Sequence, residues 1–328
     1  MTLTQLRYLI AIADSGLNIT LAAARVHATQ PGLSKQIKQM EAELGFLLFE
    51  RRGRSLTSLT PGGQRVLMHA RRILEETASI RAYAANERGE TSGALVMVTT
   101  HTQARYVLPP VIAGLKRAFP YVSVHLQPAA DREVLEYLNR GDVDVAILST
   151  AGSVPRDGVA IPLYRWRRVV LVPATHALAR LDRAPSLQEL AIHPLVSYES
   201  SIQPESSLRQ AFARQGLSWQ LAMTAQDADL IRTYVRAGLG AGVLAEMAVG
   251  LPLDADLRVL PAPPTLCECV TWAVLPRTRV PRDYTVEFLQ RLAPQLDRRD
   301  LRRVLEGTSE PAWLPPPWWA EISQTITI

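Results

Sequence analysis

Five consecutive polar side chains, Thr99, Thr100, His101, Thr102 and Gln103, stand between the apolar run "ALVMV" and the amphipathic "RYVLPPVIAGLKRAFP". A catalytic site, a metal site, an anion pocket and a capped helix all use these residue types. A nucleophilic hydroxyl needs a base and an orienting acid beside it, and no companion motif supplies them to His101, so no catalytic residue is assigned and no enzyme is expected. A metal needs a second ligand cluster; none is present, and neither metal nor cofactor is expected. An anion fits better. Backbone N–H groups at a helix start favour negative charge, and threonine hydroxyls with a glutamine amide add neutral donors before Arg105 is reached. The competing reading is a helix cap with no ligand.

The elements that would carry this run are legible. "ALVMVT" (94–99) reads as a strand, the amphipathic run contains a crossover helix, and "VSVHLQP" (122–128) is a second strand. "DREVLEYLNRG" (131–141) is a helix and "VDVAILS" (143–149) a third strand. Such alternation predicts a mostly parallel α/β sheet, whose ligands bind beyond the carboxyl ends of its strands. A second series has strands at "RRVVLVP" (167–173), "LVSY" (195–198), "LAMTA" (221–225) and "AGVLA" (241–245), with helices near 205–214 and 227–237. "CVTWAVLP" (269–276) and a helix near 282–292 return to the first lobe. Two α/β lobes joined by two crossing segments predict a clamshell with its ligand in the cleft.

Three further motifs carry weaker signals. "GLGAG" (238–242) follows a helix and precedes a strand, the reverse of a dinucleotide fingerprint, so its glycines end a helix. Asp227 and Asp229 open a helix in "QDADLIRTY", where capping competes with a ligand-facing role. Cys267 and Cys269, separated by one residue, read as ordinary residues of one expected strand, with neither a disulfide nor a shared metal expected.

The N-terminal part speaks of another polyanion. Leu6, Leu9, Ile10 and Ala13 recur at helical spacing, "SGLN" ends that helix, and "ITLAAARVH" (19–27) makes a second. In "ATQPGLSKQIKQMEAELG", Thr29 suits an N-cap and Pro31 a first turn. Leu33, Ile37, Met40 and Leu44 then form one apolar stripe, with Gln30, Ser34, Lys35 and Lys38 on other faces. This order predicts a helix-turn-helix whose second helix enters a major groove. Next, "FERRGRSLTSLTPGG" (49–63) reads as a wing, with Arg51, Arg52 and Arg54 around Gly53 suited to phosphate oxygens. A helix from Pro61 to about Arg88 carries Val66, Ala70, Ile73, Thr77, Ile80 and Ala84 at spacings of four and three, a heptad-like seam that predicts dimerisation. At 1.5 Å per residue it would be roughly 40 Å long.

Composition agrees. The 328 residues suggest two or three domains. Lys and Arg number 36 against 31 Asp and Glu, and residues 1–72 hold ten of the former against four of the latter. The N-terminus lacks the pattern of a signal peptide and no run has the roughly 18 apolar residues of a membrane span. A cytoplasmic protein with no membrane partner is expected.

Together these residues resemble the LysR-type transcriptional regulators, and more narrowly their cysteine-regulon, CysB-like branch. "LRYLIAI", "ATQPGLSKQIKQMEAELG" and "LTPGGQRVL" carry the superfamily; "TTHTQARYVLP", "FPYVSVHL", "DADLIRTYVRAGLGAGV" and the tryptophan of "LYRWRR" carry the branch. The resemblance covers about residues 1–297. It implies an α+β multidomain chain: a winged helix-turn-helix over 1–60, a linker helix over 61–90, and a two-lobed, periplasmic-binding-protein-like effector domain over 91–297. Lobe I would span about 91–164 and 268–297, lobe II about 165–267. It also implies a dimer of dimers on promoter DNA, contact with RNA polymerase, and an effector of the N-acetylserine, O-acetylserine or sulfate class.

By position, Thr100, Thr102, Gln103 and Trp166 match the branch's effector-holding residues. Thr29, Gln30, Pro31, Ser34, Lys35, Lys38, Arg51, Arg52 and Arg54 make the expected DNA-contacting set. Ser149, with a threonine's hydroxyl retained, Gln203 and Asp227 complete the expected effector set. The loop "ESSIQPESS" (199–207) departs from the branch pattern. That departure leaves room for a regulator of sulfonate or sulfate-ester use, or of an unrelated carboxylate pathway. A two-lobed solute-binding protein is the competitor of another class. The tail 298–328, with Trp313, Trp318 and Trp319 around a proline run, lies outside the resemblance; it either packs back on the effector domain or meets another subunit.

Overall fold

The computed structural model describes residues 1–53, 55–249 and 255–327. The chain divides into two compact units, Met1–Glu90 with Thr278–Arg282, and Thr91–Arg277 with Asp283–Ile328.

The first unit opens with helices α1 (Leu3–Asp14), α2 (Ile19–Arg25) and α3 (Gln30–Leu44). Each start is fixed by a side chain that accepts a free backbone N–H: Thr2 in a capping box with Gln5, Asn18 from Leu21, and Thr29 from Gly32. The α2–α3 turn holds His27 in the left-handed region, at φ +52°. Leu33, Ile37 and Met40 of α3 bury their side chains against Leu6, Leu9 and Ile12 of α1. Hairpin β1 (Phe49–Arg52) and β2 (Ser55–Leu59) follows, then α4 (Pro61–Glu87). At Gly63 an added Cβ would lie 2.0 Å from the Leu48 carbonyl oxygen, so only glycine lets α4 start against the hairpin.

Helix α4 has two faces. Ser79, Ala82 and Ala85 are buried, and the segment Thr278–Arg282 runs beside them. Ser79 Oγ donates to the Thr278 carbonyl at 2.7 Å, and Asn86 Nδ2 to the Pro281 carbonyl at 3.0 Å. Of the expected seam, Ala70 is buried in the helical core, whereas Ile73 and Ile80 stay exposed together with Tyr83.

The second unit runs β3 (Gly93–Thr99), α5 (His101–Tyr106), α6 (Leu108–Ala118), β4 (Val122–Pro128), α7 (Asp131–Asn139), β5 (Val145–Thr150) and β6 (Val159–Trp166). It continues through β7 (Arg168–Pro173), α8 (Leu187–Ala191), β8 (Leu195–Tyr198), α9 (Ser207–Arg214), β9 (Leu221–Ala225), α10 (Ala228–Arg236), β10 (Ala241–Ala245) and β11 (Leu257–Pro261). The chain then returns through β12 (Cys269–Leu275), α11 (Asp283–Leu292), α12 (Arg298–Leu305) and α13 (Trp319–Thr327). Lobe I holds the sheet β4-β3-β5-β12-β6 and lobe II the sheet β11-β7-β10-β8-β9.

In each sheet four of the five strands run the same way and one runs against them. β3 pairs parallel with β4 and β5, but β12 is antiparallel to both β5 and β6. In lobe II, β10 and β8 pair parallel, while β7 is antiparallel to β10 and β11. The crossing segments explain the difference. A strand that arrives from the other lobe enters its sheet from the cleft end and therefore runs against its neighbours. Strands β6 and β11 are additions to the sequence reading; Pro162 within "VAIPLYRW" disguises the first, and prolines belong on edge strands such as this one.

The tail packs back on lobe I. Leu301, Val304 and Leu305 of α12 and Ile322 and Ile326 of α13 are buried in its core. Trp313 Nε1 donates to the Ala160 carbonyl at 2.9 Å.

Candidate functional site: an effector pocket and a DNA-reading face

Register brings four strand ends to one edge of the lobe I sheet. Thr99 pairs with Ile147, Ser149 with Thr271, and Cys269 with Trp166. The C-terminal ends of β3, β5 and β6 and the start of β12 therefore share the edge from which α5 begins.

Polar atoms along this edge form one chain of hydrogen bonds. Trp166 Nε1 donates to Ser149 Oγ at 3.2 Å, and Ser149 Oγ lies 2.9 Å from Thr271 Oγ1. Gln103 Nε2 donates to Thr271 Oγ1 at 3.4 Å, and the Tyr164 hydroxyl donates to Gln103 Oε1. Gln103, Thr271 and Tyr164 are buried, so these bonds meet the requirement that interior polar groups find partners. Burial pushes the Tyr164 hydroxyl well above the ordinary tyrosine range. It stays a neutral donor.

Thr100 differs from its neighbours. It occupies the N-cap position of α5, yet its side chain makes no cap hydrogen bond. Thr100 thus stands at the α5 start, next to residues already tied together. Thr102 reaches across the cleft, its Oγ1 donating to the Tyr198 hydroxyl at 3.2 Å, and that hydroxyl also accepts the Ala245 N–H at 3.3 Å. Burial raises the Tyr198 pKa, although these bonds oppose the shift.

A carboxylate also lines the cleft. Asp131, at the start of α7, is solvent-accessible, yet crowding by protein raises its pKa, against a hydrogen bond from Ser200 and the nearby Arg168 charge. Accessibility together with crowding is what the wall of a cleft produces; solvent enters, so the group remains wetter than a core carboxylate. Arg168 Nη1 in turn approaches Cys269 Sγ at 3.4 Å. Cys269 is buried on β12, whereas Cys267 precedes the strand and is exposed.

Gln203 and Asp227 stand apart from the hydrogen-bond chain. Gln203 ends the 3-10 turn Glu199–Ile202, its backbone N–H donating to Ser200. Asp227 caps α10, accepting the Leu230 N–H at 2.8 Å. It lines a cavity of about 630 Å³ with His101, Arg105, Tyr106 and Asp229. There Tyr106 donates to Asp229 at 2.7 Å, and burial followed by that bond raises its pKa to about 12. Tyr164, Thr271, Tyr198, Ser200, Asp131 and Arg168 are site residues beyond the sequence reading. Each joins through contacts between parts of the chain far apart in sequence, as the pairing of Ser149 with Thr271 shows.

On α3, Gln30, Pro31, Lys35 and Lys38 are exposed and Ser34 is half-buried. Thr29 uses its hydroxyl on the Gly32 N–H at 3.3 Å. Arg52 is exposed, while Arg51 turns one guanidinium nitrogen to the buried Glu41 at 3.3 Å. Glu41 also accepts the Leu48 N–H at 2.9 Å, so Arg51 ties the wing to α3. Arg54 lies outside the described residues. Among the described residues no helix is long and apolar enough to cross a membrane, and no three His, Cys, Asp or Glu gather as metal ligands.

Residues 3–64 match the family description "Bacterial regulatory helix-turn-helix protein, lysR family", and residues 88–297 match "LysR substrate binding domain". The HTH-type transcriptional regulator CysB of Haemophilus influenzae is 38% identical over 298 residues, 91% of this chain and 92% of its own length. The HTH-type transcriptional regulator Cbl of Escherichia coli K12 is 35% identical over 310 residues, 94% of this chain and 98% of its own. The crystal structure of the cofactor-binding domain of the Cbl transcriptional regulator superposes with a TM-score of 0.59 at 36% identity, covering 66% of this chain and 94% of that one. These relatives are transcriptional regulators rather than enzymes. The chain, with its winged helix-turn-helix and two-lobed α/β domain, belongs to the LysR family of DNA-binding transcriptional regulators.

Proposed function

We propose that this regulator controls sulfur-assimilation genes in the cytoplasm, and that a small sulfur-related anion or an acetylated serine in the cleft sets its activity. The observation that supports the reading best is Thr100. Its hydroxyl makes no cap hydrogen bond and no side-chain hydrogen bond among the described residues, and it stands at a helix start beside a wall of polar groups already fixed by one another. A ligand with a compact anionic group suits that hydroxyl and that helix start; the resemblance to the CysB-like branch gives that ligand its class. Gln30 and Ser34 read promoter DNA, Lys35, Lys38, Arg52 and Arg54 grip phosphates, and the exposed Ile73, Ile80 and Tyr83 of α4 pair two chains, with dimers joining into a tetramer. RNA polymerase is the partner through which such a complex acts.

A thermal-shift series on the full chain tests this, with sulfate, thiosulfate, N-acetylserine, O-acetylserine, adenosine phosphosulfate and taurine, and chloride as ionic control. A saturable shift with one of these six ligands, absent in Thr100→Val, is expected. No shift with any of these six, but a saturable shift with a carboxylate other than the acetylserines, would overturn the sulfur assignment and leave the regulator intact. Asp131 and the loop around Ser200 favour a second reading, a sulfonate or sulfate-ester signal carrying an amine, because a carboxylate in the cleft opposes a bare dianion and welcomes an ammonium.

A further inference from the structure

The hydrogen-bond chain of the pocket begins and ends on one strand. Trp166 holds Ser149 at one end and Tyr164 holds Gln103 at the other, and the two residues are neighbours on the same face of β6. β6 is the edge of its sheet, so nothing on its outer side belongs to the sheet itself. That side is occupied by the C-terminal tail. The Arg165 N–H donates to the Pro317 carbonyl and Arg165 Nε to the Pro316 carbonyl, both at 2.8 Å. Two guanidinium groups lie over the Trp318 ring, Arg165 at 4.4 Å and Arg167 at 4.2 Å from its centroid, and these residues flank Trp166. The Trp319 ring packs against Tyr164 with centroids 5.1 Å apart. Tail tryptophans thus touch both ends of the strand segment that closes the pocket's polar chain.

We propose that the tail is a positioning element of the effector pocket: Trp318 and Trp319 fix β6 so that Tyr164 and Trp166 hold Gln103 and Ser149 in register for the ligand. Covering an open strand edge would by itself account for a backbone contact. It does not account for Trp319 packed on Tyr164, one of the two residues from which the polar chain is hung, together with Trp318 held by the arginines on either side of the other. The ligand part of this inference rests on the pocket reading above; the tail's grip on Gln103 does not.

The test uses the full chain with Trp319→Ala, Trp319→Phe, Trp318→Leu and, as a control in the tail, Leu314→Ala, whose side chain is 81% exposed. Dissociation constants for N-acetylserine, O-acetylserine and sulfate are read by titration calorimetry, and amide exchange over residues 100–106 without ligand. Trp319→Ala is expected to weaken binding about tenfold, Trp319→Phe to restore most of it, and Leu314→Ala to change nothing. In a Tyr164→Phe background the Trp319→Ala effect should largely vanish, because the contact acts through that hydroxyl; effects that simply multiply would overturn the proposal. Lower thermal stability with unchanged affinity and unchanged exchange would overturn it too. If the wild type binds none of the three probes, the pocket reading fails, and the tail is judged on exchange alone: faster exchange at 100–106 in Trp319→Ala but not Leu314→Ala supports it, no difference refutes it. Should Trp319→Ala not fold, Trp318→Leu, which keeps an apolar side chain without the ring face, carries the same expectation.

Discussion

On α3 the polar residues Gln30, Lys35 and Lys38 are exposed while Leu33, Ile37 and Met40 do the packing; in the effector pocket Gln103, Thr271 and Tyr164 are buried and their polar atoms bind one another. On the proposed function, recognition and folding are carried in the first region by different side chains on different faces of one helix, and in the second by the same atoms. A substitution on α3 should therefore affect either stability or DNA affinity, whereas most substitutions in the pocket should affect stability and ligand affinity together.

The largest effect expected is on the packing side of α3. Leu33 is fully buried in the helical core, and Leu33→Ala should cost about 2–5 kcal/mol through reduced burial and the cavity left behind. Chemical denaturation followed by helicity measures it, and gel retardation should be abolished in parallel. DNA binding retained at full strength would mean that this core does not hold the recognition helix.

Next comes the pocket. Thr271→Val removes the hydroxyl that joins Ser149 to Gln103 with little change of volume, and leaves a buried amide without its partner. A cost of about 1–3 kcal/mol is expected, together with weaker effector binding. If affinity falls while stability stays unchanged, the two roles are separable there after all, and the contrast with α3 fails at its centre.

The same contrast explains what could be read from the sequence. Helix α3 is local: its cap Thr29, its stripe and its C-terminal Gly45, in the left-handed region at φ +77°, lie within seventeen residues. The strands with plain apolar runs were equally legible, and so was the polar run at residues 99–103, because a strand end followed by a helix start is a local pattern. Thr271 and Tyr164 were not, since nothing near either residue signals that strand pairing will bring them to Gln103. β6 was hidden by Pro162, and the one reversed strand of each sheet by the crossing of the chain between lobes, which leaves no mark on hydropathy. Trp318 and Trp319 were conspicuous as tryptophans, but their partners Arg165, Arg167 and Tyr164 lie more than 150 residues away.

On the exposed side of α3, Lys35→Ala should leave the unfolding midpoint unchanged. It should weaken DNA binding roughly evenly across sequences and lower the salt slope by about one, as expected when a single phosphate is no longer neutralised. Retardation measured at several salt concentrations decides this. A change confined to certain base pairs would assign Lys35 to base reading instead.

Thr100→Val sharpens the comparison most, although it should disturb the unliganded protein least. Thr100 is the one threonine of residues 99–102 whose hydroxyl neither caps its helix nor bonds a neighbour among the interactions described: Thr99 donates to the Ile147 carbonyl at 2.9 Å and Thr102 to Tyr198. Valine keeps the β-branched shape that the extended backbone at this position accepts. The variant should unfold within a few tenths of a kcal/mol of the wild type, since no bond within the protein is removed. Its response to effector, read as ligand-dependent change in promoter retardation, should disappear. Within the pocket Thr100 would then behave as Lys35 does on α3, with recognition free of folding. A measurable drop in stability would show instead that its hydroxyl already serves the α5 start, as a helix cap does.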